Sequence, residues 1–373
     1  MDNAATTPIN EKIHDEVVQL EKEIYGNPSS IHSVGKKSST ILNNSRKIIA
    51  NIIESNPEDI IFTSGGSEAN NLAIKGIAFS NVKKGRHIIT TKIEHPSVLN
   101  TCKWLETIGF KVTYLDVDKH GFVSTKDLIK NIREDTILIS IMYVNNEIGV
   151  IQKIKELSDI AAEHNIPFHT DAVQAFPILD IDLSLLNNVT MMSVSGHKFN
   201  AQKGTGFLYT KIKDLTPLIH GGGQEFGLRS GTENVLGIYE MSCNIENLAQ
   251  TRHSSGDEIQ ILSGYFIKKL KKIKGLKVRI NRQNENYVKN IVSVTFPFDS
   301  EVLVEYLNQS DICVSSGSAC SSKDKEPSHV LKAIKLSDKK AESTVRFSFG
   351  KHNTTEEIDY VIGKIEEFAE LIK

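Results

Sequence analysis

Ser193-Val-Ser-Gly-His-Lys-Phe199 is the stretch of this chain with the clearest capacity for covalent chemistry. The small and apolar residues from Met191 to Val194 read as a buried strand ending at Ser195 and Gly196, and Lys198 follows just beyond. In an open parallel sheet, ligands sit outside the carboxyl ends of the strands. A partly desolvated lysine amine there can lose its proton and attack a carbonyl carbon, while Ser195 and His197 stand beside it as phosphate donors. A pyridoxal phosphate (PLP) Schiff base has these requirements. Taken alone, Ser-x-x-Lys also describes a surface lysine after a strand.

Other chemistry-bearing residues stand where the strand pattern stops. Gly65-Gly66-Ser67-Glu68 lies between a strand and a helix, where glycines let the backbone approach an anion and the helix N-terminus offers free N–H groups. Steric needs alone also produce such turns. Asp171, in His169-Thr-Asp-Ala-Val-Gln174, is placed either to hold a proton on a pyridine nitrogen or to cap a helix. His95 opens a helix, as a ring that stacks on a cofactor and moves protons or as a simple cap. Asn145-Asn146-Glu147 reads as polar ligand contacts or a turn. Arg346 is a charge inside the apolar strand Thr344–Phe349, so it needs a partner: a substrate carboxylate or a structural ion pair. Cys320 sits among serines and glycine in Ser315-Ser-Gly-Ser-Ala-Cys-Ser-Ser322, an accessible loop suited to a nucleophile. Cys102, Cys243 and Cys313 read as core residues.

The elements that must position these groups alternate regularly. Strands are expected at 59–63, 87–91, 111–115, 136–142, 166–170, 191–194 and 206–210, with helices between most of them. That alternation means βαβ units and a mostly parallel sheet covered on both faces. After Gly221-Gly-Gly223 a long helical pattern runs from Thr232 towards Ile273, with a break expected near Ser254–Gly256. Strands at 278–281, 291–296 and 344–349, with helices near 300–308 and 355–372, then suggest a smaller second α/β domain. The last helix opens with a capping box, Thr354 to Glu357. A length of 373 residues fits two domains, and 44 basic against 46 acidic residues give no reason to expect nucleic acid or a charged membrane as partner. No apolar run approaches a membrane span, and Met-Asp-Asn-Ala-Ala-Thr-Thr-Pro does not read as a secretory leader. The four cysteines show neither metal-ligand spacing nor disulfide density, so a cytoplasmic setting is expected.

The motifs together resemble the PLP-dependent cysteine desulfurases of the NifS/IscS type, in the class V aminotransferase superfamily. The resemblance runs from Asp2-Asn-Ala-Ala-Thr-Thr-Pro8 through Thr63–Asn71, Glu94-His95, Val144–Gly149, His169–Gln174, Ser195–Lys198, Gly221–Glu225 and Arg229–Thr232 to Ser315–Cys320 and Arg346–Gly350. It implies the α/β architecture called fold type I of PLP-dependent transferases. The large domain (12–250) would hold a mostly parallel seven-stranded sheet, and residues 1–11 and 251–373 a small domain with the cysteine loop. Carried over by motif, Lys198 holds PLP, Asp171 faces the pyridine nitrogen, Gln174 the ring hydroxyl, and His95 stacks on the ring. Gly66, Ser67, Ser195 and His197 hold the phosphate, and Thr232 reaches the phosphate of the neighbouring subunit in a homodimer. Asn146 and Arg346 bind the carboxylate of L-cysteine. The Cys320 thiolate takes the substrate sulfur as a persulfide, alanine leaves, and the sulfur passes to an acceptor protein, an iron–sulfur scaffold or a tRNA-thiolation enzyme. A selenocysteine lyase or another class V aminotransferase-type enzyme is the neighbouring expectation. A non-catalytic scaffold would have lost Lys198 or Cys320, and both are present.

Overall fold

The computed structural model describes residues 1–282, 286–316 and 327–372. Seven strands form one sheet: β1 (Ile60–Thr63), β2 (His87–Thr91), β3 (Lys111–Leu115), β4 (Thr136–Ser140), β5 (Phe168–Asp171), β6 (Met191–Ser195) and β7 (Gly206–Thr210). Their spatial order is β1-β7-β6-β5-β4-β2-β3. Strands β2 to β6 pair in parallel, whereas β7 runs antiparallel to both β1 and β6. Most of these strands are buried along their whole length, which explains why they read as continuous apolar runs with no alternation. The helices α1 (Glu11–Leu20), α2 (Ser33–Ile52), α3 (Gly66–Ser80), α4 (Pro96–Thr107), α5 (Thr125–Asn131), α6 (Ile154–Glu163) and α7 (Val235–Leu270) flank this sheet or lead away from it. The fold is the α/β class expected, with a mostly parallel sheet.

A second, antiparallel sheet has the order β10-β11-β9-β8, from β8 (Arg279–Ile280), β9 (Ile291–Thr295), β10 (Ser315–Ser316) and β11 (Thr344–Ser348). Around it lie α8 (Ser300–Asn308), α9 (His329–Ala333), α10 (Asp338–Glu342) and α11 (Thr355–Leu371), the last with the expected capping box between Thr354 and Glu357. Phe266, Phe347 and Phe349 form the centre of this core, with ring centroids 4.7 and 5.5 Å from Phe266. Among the described residues, no helix is long and apolar enough to cross a membrane.

The break expected near Ser254–Gly256 does not occur: α7 is one helix of 36 residues. Glycine in a helix costs only about 1 kcal/mol relative to alanine. Here Ile238, Met241 and Ile245 pack into the first core while Ile259, Leu262 and Phe266 pack into the second, so tertiary burial on both sides outweighs that cost. A second tie is the N-terminal segment. Asp2 bridges Ser348 on β11, the Thr7 amide donates to the His197 carbonyl at 3.0 Å, and that of Asn10 to Asn200 at 2.9 Å. Residues 2–10 thus form a strap between the two sheets.

Candidate active site

The ends of β1, β2, β4, β5 and β6 open onto one cavity of about 600 Å³. After β1, Gly65 turns the chain into α3 with a φ of +147°, a conformation that side chains rarely adopt. A Cβ on Gly66 would stand 2.6 Å from Val173 Cγ2, so only glycine lets the first turn of α3 lie this close to the end of β5. The leading N–H groups of α3 have no carbonyl partner inside the helix and carry the positive end of its dipole. With Ser67, Ser195 and His197 on the cavity wall, they form an anion cradle. Burial, and then Lys198 and Lys203, push the His197 ring down to about 4, so it stays neutral at physiological pH.

β2 leads into His95, which caps α4. Its Nδ1 accepts from the Ser97 amide at 3.1 Å and lies 2.8 Å from Ser97 Oγ. An accepting Nδ1 puts the ring proton of the neutral form on Nε2. Burial lowers the His95 pKa; Asp171 opposes this, and Lys198 and His329 add to it. Asp171, at the end of β5, accepts from Asn70 Nδ2 at 2.7 Å and from the Val173 amide at 2.9 Å. Asn70 Nδ2 also reaches Ser97 Oγ at 2.9 Å. Asp171, Asn70, Ser97 and His95 are therefore one hydrogen-bonded chain. His169, two residues before Asp171, is a satisfied core histidine between Ser140 and Ser193, pushed down to about 3 by burial.

Lys198 sits in a short 3-10 turn immediately after β6. Its Nζ donates to the carbonyls of Ala4 at 2.7 Å and Ala5 at 2.8 Å, and Gln174 Nε2 donates to the Ala4 carbonyl at 2.7 Å. At the other wall, Arg346 Nη1 donates to the Asn146 carbonyl at 2.9 Å. Its Nη2 donates to Asp2 Oδ1 at 2.9 Å and Ser315 Oγ at 3.0 Å. Of the two expectations for Arg346, the structural ion pair is thus present, with Asp2, while the side chain also borders the cavity. Its Nε is buried and has no partner among the described residues.

Lys198, His95, Gly66, Ser67, Asp171, Gln174, Ser195, His197, Asn146 and Arg346 all line this cavity. Thr232 does not: it is exposed, in the segment before α7. Cys320 lies outside the described residues. Cys102 is buried, and burial pushes its thiol well above the usual range. Cys243 is half-buried on α7. Cys313, expected in the core, is exposed instead. Ile312 and Val314 on either side are buried, and strand-like alternation turns Cys313 outward. Asn145, one of the residues with two readings, is a turn former: its Oδ1 accepts from the amides of Glu147 and Ile148. Sequence reasoning gave no role to Asn70, Ser97, Glu94 or the strap carbonyls. Asn70 left one trace, a polar residue beside Ala69, Leu72 and Ala73 on a buried helix face.

The family model described as aminotransferase class-V matches residues 1–361. A cysteine desulfurase IscS of Dictyoglomus turgidum is 44% identical over the whole of this chain and 95% of its own length. Another from Methanosarcina thermophila is 45% identical over the whole of this chain and 92% of its own length. Among solved structures, a NifS-like protein superposes with a TM-score of 0.93 at 36% identity, covering 99% of this chain and 98% of that one. The structure titled SspA in complex with cysteine reaches 0.84 at 38% identity, covering 95% of this chain and 99% of that one.

Proposed function

The chain belongs to the class V aminotransferase family and to its PLP-dependent cysteine desulfurases, and from that premise we propose how its own residues carry out sulfur removal from L-cysteine. The observation that carries the reading is the meeting of Lys198, Asp171, His95 and the α3 anion cradle at one cavity. These residues fit PLP: a cradle for its phosphate, a carboxylate for its ring nitrogen and an amine for its aldehyde. When bound, PLP supplies an aldehyde carbon that exchanges amines and a ring that draws electrons from the substrate Cα. Gly66, Ser67, Ser195 and His197 would hold the phosphate, Asp171 would keep a proton on the ring nitrogen, Gln174 would serve the ring hydroxyl, and His95 would stack on the ring. Thr232 reaches the phosphate of a second subunit in a homodimer.

Asn146 and Arg346 bind the substrate carboxylate, which sets the Cα–H bond towards Lys198. The Lys198 amine would take the Cα proton and, once the C–S bond has broken, return one to Cα, so it acts as base and then acid. The Cys320 thiolate then forms a bond to the substrate sulfur while the C–S bond breaks and its electron pair stays on carbon. Protonation of that carbon gives L-alanine, and the persulfide on Cys320 is passed in the cytoplasm to an acceptor for iron–sulfur cluster assembly or tRNA thiolation.

Borohydride reduction of the purified protein followed by peptide mass mapping tests the lysine assignment. The expected product is a single pyridoxyl group on Lys198, with none in Lys198→Ala. A pyridoxyl group on a different lysine would overturn the assignment.

A further inference from the structure

Glu94 is fully buried directly before His95, and the steps above leave it without a task. Its Oε1 accepts from Thr91 Oγ1 at 2.7 Å and from the Met142 amide at 3.0 Å. Oε2 is buried with no partner among the described residues. The Glu94 main-chain carbonyl accepts from His329 Nε2 at 2.9 Å; a carbonyl cannot donate, so this ring nitrogen carries a proton. The end of β2, the end of β4 and helix α9 are thereby tied to the residue that precedes His95. An ionised carboxyl would leave charge on Oε2 with no donor, in a place where burial already disfavours it.

We propose that Glu94 works as a neutral carboxylic acid that positions His95, through Oε1 and its own carbonyl, without adding a negative charge beside Asp171. It is a positioning residue, and the proposal rests on His95 being a working part of the site. The groups facing it are Asp171 from β5 and Cys102 from α4, with His95 and His329 on either side. Burial pushes its pKa from 4.5 up to about 8; the Met142 and Thr91 donors oppose this, and Asp171 adds to it. Because the folded pKa lies above the unfolded one, the stability tied to the proton is full below pH 4.5 and is lost as pH rises to about 8.

The test compares Glu94→Ala, Glu94→Gln and His95→Ala in the full-length, PLP-loaded protein. Glu94→Ala takes the acceptor away from the Met142 amide and the Thr91 O–H, and its kcat for L-cysteine is expected to fall about tenfold or more with little change in KM. Glutamine keeps a neutral acceptor, so Glu94→Gln rescues turnover near neutral pH and holds it further into the alkaline range than wild type does. Its thermal midpoint should gain on wild type between pH 4.5 and about 8, then run parallel above that range. Glu94→Gln as impaired as Glu94→Ala, or alkaline limbs and melting curves that coincide with wild type, would overturn the proposal. Full activity in Glu94→Ala beside loss in His95→Ala overturns the role of Glu94 alone. Full activity in His95→Ala overturns the reading of His95 and the proposal with it.

Discussion

At the scale of the residue, Arg346 has a structural role in hand and a binding role that we propose for it. Its Nη2 is shared between Asp2 and Ser315, and Nη1 is held by the Asn146 carbonyl, so the guanidinium is fixed before any substrate arrives. A fixed fork loses less entropy when it takes a carboxylate. Arg346→Ala is expected to raise the apparent constant for L-cysteine about ten- to a hundredfold, the loss of a charge-assisted pair of about 1.5–3 kcal/mol. PLP affinity should change little. Asp2→Asn keeps an acceptor for the arginine, so its effect on the cysteine constant should be the smaller of the two. Steady-state kinetics with parallel PLP titration checks this; lost PLP with an unchanged cysteine constant would leave Arg346 a purely structural residue.

At the scale of the element, α7 is the place where reading by pattern failed. The Ser254–Gly256 sequence looks like a stop, yet an added Cβ on Gly256 would meet nothing within 4 Å and the helix runs straight through. Gly256→Ala is therefore expected to stabilise the protein by about 0.5–1 kcal/mol. Denaturant unfolding read by circular dichroism checks this, and a destabilised variant would mean the helix is strained there. Elsewhere the pattern was sharp. β2, β3, β7 and α8 span the residues expected, because each carries β-branched and aromatic residues or an amphipathic stretch bounded by polar turns. The short helices α5, α9 and α10 were not legible, since five to seven residues carry too little periodicity. Nor was the strap: the Asp2–Arg346 pair and the Ala4 and Ala5 carbonyls on Lys198 join residues some two hundred or more positions apart. Nothing local in Asp2-Asn-Ala-Ala announces such contacts. The cavity-lining residues of the first sheet could be named because they stand at or just beyond strand ends in a sheet whose alternation was plain. Their supports, Asn70, Ser97 and Glu94, could be given no role, because burial and pairing decide it.

At the scale of the whole molecule, the cavity lies where the two sheets meet. The first sheet contributes Lys198, Asp171 and the anion cradle, and the second contributes Arg346 and Ser315. The strap and α7 hold that junction, and we propose that the boundary between the two domains falls within α7, near residue 250. In the sequence Cys320 comes after β10 and before α9. The central claim is that sulfur leaves L-cysteine for a thiol of this chain, and Cys320→Ser isolates that step. A serine hydroxyl is not an appreciable nucleophile without an activating base, whereas a few per cent of a thiol is ionised near pH 7. The most direct measurement is to incubate wild type and Cys320→Ser with sulfur-labelled L-cysteine, then map the labelled peptides and quantify alanine. The account predicts labelled sulfur on Cys320 and alanine release in the wild type, with neither in Cys320→Ser although PLP remains bound. Alanine release at the wild-type rate from Cys320→Ser, or label on Cys102, Cys243 or Cys313, would contradict it.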